Sequence, residues 1–240
     1  MAKAAGPSRG SPCQLRADHC SRAMDTMFTV FIVDDDDSVT SALSRLMRVK
    51  GYDARSYTSP REFLARHDLT VPGCAILDVV MPGLNGLELQ HALTIADSHR
   101  PIIFITGRGD ISMSVRAMRA GAIDFLTKPV NNEDLLGAIT RAEEQDTRSR
   151  RARAELAAIQ AKIATLTPRE RDVLAHVVTG QLNKQIAYDL GTVEKTIKFH
   201  RSSMMKKLGV CSVADLVRLA AKVGVPQSEA SAAPASWSNG

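Results

Sequence analysis

The stretch FTVFIVDDDD, residues 28–37, is an aromatic and β-branched run closed by four consecutive aspartates. Such a run reads as a buried strand, and the carboxylates leave at its C-terminal end. The pattern returns along the chain. CAIL (74–77) ends in Asp78, IIFI (102–105) ends in Thr106, and AIDFL (122–126) is followed by Thr127, Lys128 and Pro129. Between these runs lie helical patterns at 38–50, 60–67, 86–96, 110–120 and from 133 onward. Five strands alternating with five helices predict βα units around a parallel sheet over 28–140. Ser38 and Asp110 read as helix N-caps, Ser59–Pro60 as a helix start, and Gly51 and Gly121 as left-handed stops.

Ligands of parallel sheets gather outside the carboxyl ends of the strands, so two acids, a hydroxyl and an ammonium distant in sequence are expected at one rim. Asp34, Asp35 and Asp78 form a hard oxygen pocket suited to Mg2+. A carboxylate is also a competent nucleophile toward phosphorus, which makes Asp78 the expected phosphoacceptor. Thr106 and Lys128 can each take a phosphoryl oxygen. A lone Asp before VVMPG (79–83) reads as a turn cap; four groups at four strand ends favour a shared site. A second reading exists, because DDDSV (35–39) also fits the Asp-x-Asp-x-Val signature of haloacid-dehalogenase-like phosphatases, in which Asp35 is the nucleophile. That arrangement needs a further acidic pair at a strand end, whereas NNED (131–134) opens a helix.

The charge is uneven. Lys and Arg number 11 against 14 acids over 28–140, but 10 against 5 over 167–225, a balance that suits a polyanion partner or a solvated face. Cys13, Cys20, Cys74 and Cys211 lack metal-ligand spacing and read as reduced thiols. No apolar run approaches the roughly 20 residues that span a bilayer, so a soluble cytoplasmic protein is expected. Residues 1–27, in which Met24 and Met27 precede the first strand, and residues 226–240 lack core-forming periodicity and are expected to be disordered. Residues 141–165, rich in Ala, Glu and Arg, read as a helical linker. An all-α domain follows over 166–225, with helices at 168–179, 184–190, 193–208 and 213–223.

The first domain resembles the receiver domain of bacterial response regulators through FIVDDDD (31–37), ILDVVMPGLNGLEL (76–89), IIFITGRGD (102–110) and GAIDFLTKPV (121–130). The resemblance implies a CheY-like doubly wound sheet, Asp34 and Asp35 as magnesium acids, Asp78 as the phosphorylated residue, and Thr106 and Lys128 as phosphate-sensing groups. It adds the Val80 backbone carbonyl to the metal shell and Phe125 as the switch aromatic; an ordinary apolar residue on the fifth strand is the other reading of Phe125. Asp36 is taken as peripheral, Asp37 as helping to start the first helix, and Arg108 as tuning hydrolysis of the phosphate.

In the second domain Thr167, Pro168 and Glu170 compose a capping box. A short helix, a turn at Gly191 and a basic helix then give a helix-turn-helix pattern. Ile197, Met204 and Leu208 share one face, and Lys198, Ser202 and Met205 form an outward stripe. Through LTPRERDVL (166–174), GQLNKQIA (180–187) and EKTIKFHRSSMMKKLGV (194–210) the domain resembles LuxR-type DNA-binding domains. That implies Lys198, Phe199 and Ser202 at base edges, with Lys195, Thr196, Arg201 and Lys184 on phosphates. His200 reads as a packed residue. Val193 stands where a serine usually caps this helix, so either Thr192 is the cap or the helix starts differently.

Together the two resemblances imply a two-component transcriptional regulator of the NarL/FixJ class, nearest the FixJ-like branch. A sensor histidine kinase is the implied phosphate source. A homodimer formed through the fourth-helix and fifth-strand face, a two-part site in double-stranded DNA, and RNA polymerase are the implied partners. No classical enzyme activity is implied. A regulator with a receiver that works without phosphate is the alternative.

Overall fold

The structure, a computed structural model, describes residues 27–96, 98–107 and 111–224. The strand predicted around residue 30 is β1 (Thr29–Val33), buried at all five positions. It is paired in parallel on both sides, by β2 (Asp53–Tyr57) and β3 (Gly73–Asp78). A strand covered on both faces needs a continuous apolar run, which is why its sequence shows no polar alternation. Next come β4 (Ile102–Thr106) and β5 (Asp124–Thr127), in the order β2-β1-β3-β4-β5, with every pairing parallel. The winding direction reverses between β1 and β3. Asp34 follows the end of β1 and Asp78 ends β3, so both acids leave the sheet at the reversal, where doubly wound sheets hold ligands.

Five helices cover the sheet: α1 (Asp37–Val49), α2 (Pro60–Arg66), α3 (Gly86–Ile95), α4 (Ile111–Arg119) and α5 (Asn132–Ala164). The period of two along each strand divides the core. Phe31, Leu77 and Phe104 pack with Phe63, Leu89, Leu93 and Ala117 on one face, while Val30, Ile32, Ile76, Ile103 and Ile105 pack with Leu43, Met47, Leu135 and Ile139 on the other. Each such side chain contributes about 1.5–3 kcal/mol on full burial.

Several local expectations change. The cap of α1 is Asp36, whose Oδ1 accepts the Ser38 N–H at 2.8 Å; Ser38 already lies inside the helix, and Asp37 is its first residue. Asp36 thus stands outside the group formed by Asp34, Asp35 and Asp78 and serves the helix start. Ser59 precedes Pro60 as expected but makes no capping bond. Gly51 and Gly121 do adopt left-handed backbone, with φ of 88° and 89°. Asp110 and Arg108 lie outside the described residues, as do 1–26 and 225–240. Residues 133–164, read from sequence as a domain helix followed by a linker, belong to the single helix α5.

The chain divides into two compact units after Arg151. In the second, the end of α5 is followed by α6 (Pro168–Val178), α7 (Asn183–Asp189), α8 (Glu194–Leu208) and α9 (Val213–Lys222). Val173, Leu174, Val177, Ile186, Ile197, Met204, Leu208 and Leu216 form its core. Thr167 caps α6 in the predicted reciprocal box with Glu170. Among the described residues no helix is long and apolar enough to cross a membrane.

Candidate functional site

At the C-terminal rim of the sheet Asp34 and Asp78 are buried, Asp35 is exposed, and one oxygen from each lies within 4.8 Å of the others. Lys128, the residue after β5, is joined to Pro129 by a cis peptide bond and reaches back across the rim. Its Nζ stands 2.6 Å from Asp34 Oδ2 and 3.0 Å from Asp78 Oδ1. Backbone amides hold the other oxygens: Asp36 N–H donates to Asp34 Oδ1 at 3.0 Å, and Val80 N–H donates to Asp78 Oδ2 at 2.9 Å. Thr106 is buried at the end of β4 beside Thr127, and its carbonyl accepts the Lys128 N–H at 2.7 Å. Phe125 is half-buried on β5, with its ring 6.3 Å from that of Phe104.

Charge at this rim is unbalanced. Burial pushes the Asp78 carboxyl above its usual value; Lys128 pulls it down, Asp34 pushes it up, and the net direction is upward. Burial pulls the Lys128 ammonium down, but its hydrogen bonds to Asp34 and Asp78 outweigh this and the net direction is again upward. Burial therefore leads the Asp78 shift, with Asp34 adding to it, while the two buried carboxylates hold the proton on Lys128. A hard, oxygen-only donor set with excess negative charge fits a small divalent cation.

One residue at this rim escaped the sequence reading. Gly86 opens α3, and a Cβ there would stand 2.3 Å from the Asp78 carbonyl oxygen and 3.1 Å from the Phe104 ring. The side chain is absent because the helix starts directly against the Asp78 backbone. Its only signal in sequence is its place after Asn85, which caps α3 in a reciprocal box with Glu88.

In the second unit the turn between α7 and α8 contains Gly191 with φ of 60°. Ile197, Met204 and Leu208 are buried on α8 as predicted. Met205 is not part of the outward stripe: it is half-buried and packs on the core. Lys184, Lys195, Lys198, Phe199 and Ser202 are exposed, Phe199 by 70 %. Thr196 and Arg201 are half-buried, and Arg201 Nη1 donates to Asn183 Oδ1 at 2.8 Å, tying α8 to α7. Val193 holds the N-cap position of α8 without a side-chain cap, so Thr192 is not the cap. His200 is half-buried against the Phe199 ring.

The capping residue Glu170 has a second role that sequence did not reveal. Besides the Thr167 N–H, it accepts Ser203 Oγ and Lys207 Nζ, both at 2.7 Å, so the start of α6 fastens the basic helix α8. The Lys207 hydrogen bond, with those from Thr167 and Ser203, holds its carboxyl at about 2 against the cost of desolvation.

An acidic rim at the switch of a doubly wound sheet, followed by a helix-turn-helix unit, defines a phosphoryl-type receiver joined to a DNA-binding module. Residues 30–140 match the response regulator receiver domain, and residues 164–220 match the luxR family of bacterial regulatory proteins. Nodulation protein W of Bradyrhizobium diazoefficiens is 44 % identical over 83 % of this chain and 88 % of its own. The transcriptional regulatory protein FixJ of Azorhizobium caulinodans is 38 % identical over 86 % of this chain and 98 % of its own. The solved response regulator StyR superposes with a TM-score of 0.74 at 43 % identity, covering 82 % of this chain and 99 % of that one. The chain belongs to the response regulators with a LuxR-type DNA-binding domain, the class of transcriptional regulators that includes FixJ. The phosphatase reading falls with this result, and after Lys128 the chain enters α5 rather than another strand.

Proposed function

We propose that phosphorylation of Asp78 by a sensor histidine kinase controls sequence-specific DNA binding by this cytoplasmic regulator. The observation that carries the reading is the convergence of Asp34, Asp35 and Asp78 with Lys128 at the β1/β3 switch. A P–O bond forms on an Asp78 carboxylate oxygen as the P–N bond of the kinase phosphohistidine breaks. Mg2+ held by Asp34, Asp35, Asp78 and the Val80 carbonyl would offset repulsion between the attacking carboxylate and the phosphoryl oxygens. Lys128, already touching Asp78, pairs with one phosphoryl oxygen, and the Thr106 hydroxyl takes another. Phe125 lies on the strand beside β4, where movement of Thr106 is transmitted to the face of α4 and β5 used for homodimerisation.

Two recognition helices then read a two-part site. Lys198, Phe199 and Ser202 face base edges, and Lys184, Lys195, Thr196 and Arg201 serve the backbone. Phe199, so exposed, suits contact with a thymine methyl group. Bound protein acts on RNA polymerase; the chain carries phosphate as a signal and is not a classical enzyme. The test is incubation with a small acyl phosphate and read-out on a phosphate-retarding gel. Magnesium-dependent incorporation that Asp78→Asn abolishes and Asp35→Asn lowers is expected. A folded wild-type chain that takes no phosphate would overturn the proposal in favour of a receiver that works without it.

A further inference from the structure

The buried face of α5 runs through Leu135, Ala138, Ile139 and Ala142 and is continued, one turn on, by a carboxylate: Asp146 is 4 % exposed. It accepts the N–H of Gly73, the first residue of β3, at 3.3 Å and Arg150 Nε at 2.7 Å. Gly73 is fixed in place, since a Cβ there would stand 2.0 Å from the Thr29 carbonyl oxygen. The rest of the Arg150 fork grips the loop between α2 and β3. Nη1 donates to the Thr70 carbonyl at 2.7 Å, and Nη2 to those of Val71 at 2.6 Å and Leu69 at 3.3 Å. A second guanidinium, that of buried Arg100, lies 4.0 Å from the centre of the Phe31 ring and donates Nη2 to the carbonyls of Asp68 at 2.7 Å and Val71 at 3.3 Å. All four carbonyls of residues 68–71 are thus held by arginine.

Residues 143–151, EEQDTRSRR, contain no apolar side chain, and a polar helical stretch without tertiary contacts is marginal in water. Arg150 nevertheless sits ten residues past the end of the receiver match at 140 and is docked to the strand end opposite Asp78. We propose that Asp146 and Arg150 are positioning residues for signal output, clamping the first turns of α5 after Ala142 to the receiver. A displacement inside the receiver then passes into the helix that continues to Ala164 instead of being lost by fraying near residue 143. This rests on the phosphorylation reading given above.

The test uses the full chain as wild type, Arg150→Ala, Arg150→Lys and Asp146→Asn. Each is probed on a duplex that phosphorylated wild type has enriched from random DNA, with and without acyl phosphate. Hydrogen exchange over residues 143–151 and phosphate incorporation are measured in parallel. Coupling between sites is commonly on the order of 5- to 150-fold, and the wild-type gain in DNA affinity is expected within that range. In the variants incorporation stays at the wild-type level, exchange over 143–151 rises, and the gain falls below about twofold on the same scale. Arg150→Lys fails like alanine because an ammonium cannot fork across three carbonyls. Variants that exchange faster yet keep the wild-type gain would reduce the clamp to a structural tie and overturn the proposal. A wild type that takes no phosphate would overturn the reading beneath it.

Discussion

Asp78 and Gly86 show how tightly single atoms set the acidic rim. With a Cβ at Gly86 forced to 2.3 Å from the Asp78 carbonyl, the backbone on one side must move. Gly86→Ala should cost about 1–3 kcal/mol through overpacking. It should also slow acyl-phosphate incorporation by up to about 100-fold, the penalty of an ångström-scale misplacement; a urea melt and a labelling time course measure the two effects. Glu170 poses the matching case in the DNA-binding unit. Its carboxyl is held at about 2, below the ordinary carboxylate value of 4.5, so its contribution is complete above about pH 4.5 and is lost as the pH falls toward 2. Glu170→Ala, which removes the acceptor shared by Ser203 and the exposed Lys207 and half of the α6 capping box, should destabilise this unit by about 1–2 kcal/mol at neutral pH and flatten its acid unfolding between those values. The acids, threonine and lysine of the rim could be read from sequence because each follows an apolar run. The Glu170 links to Ser203 and Lys207 could not, because nothing local marks a contact 33 or 37 residues away.

Among the elements, the strands that were hardest to place are those least enclosed. β2, DARSY, pairs only with β1 at the sheet edge and exposes Arg55 and Ser56, so it lacks the apolar run that announced β1, β3 and β4. β5 begins at Asp124, two residues later than the apolar pattern began, because Ala122 and Ile123 belong to the approach from α4. Capping chemistry was legible at α6, where threonine, proline and glutamate agree, and misread at α1, where consecutive aspartates and a serine compete for one role. α8 is the element most open to improvement. Val193 leaves its first turn without a side-chain acceptor, so Val193→Ser should stabilise the DNA-binding unit by about 1 kcal/mol, checked by thermal or urea unfolding.

At the level of the whole molecule, sequence separated an acidic, sheet-forming half from a basic, helical one, and the motifs in each, rather than the charge, assigned their roles. DNA binding through Lys184, Lys195 and Arg201 should weaken linearly with the logarithm of salt, each phosphate contact contributing a slope of about 0.9. Lys198→Ala should change the preferred sequence, whereas Lys195→Ala should lower affinity uniformly and reduce the salt slope by about one. That these groups share a rim followed from the strand ends, but the pairing of Lys128 with both buried acids required the fold, whose β1/β3 reversal brings residues 34 and 78 together. The most direct measurement is the affinity of the full chain for a selected duplex, with and without acyl phosphate, in wild type and Asp78→Asn. The account predicts tighter binding on phosphorylation in the wild type and no response in Asp78→Asn; an equal response in both proteins would contradict it.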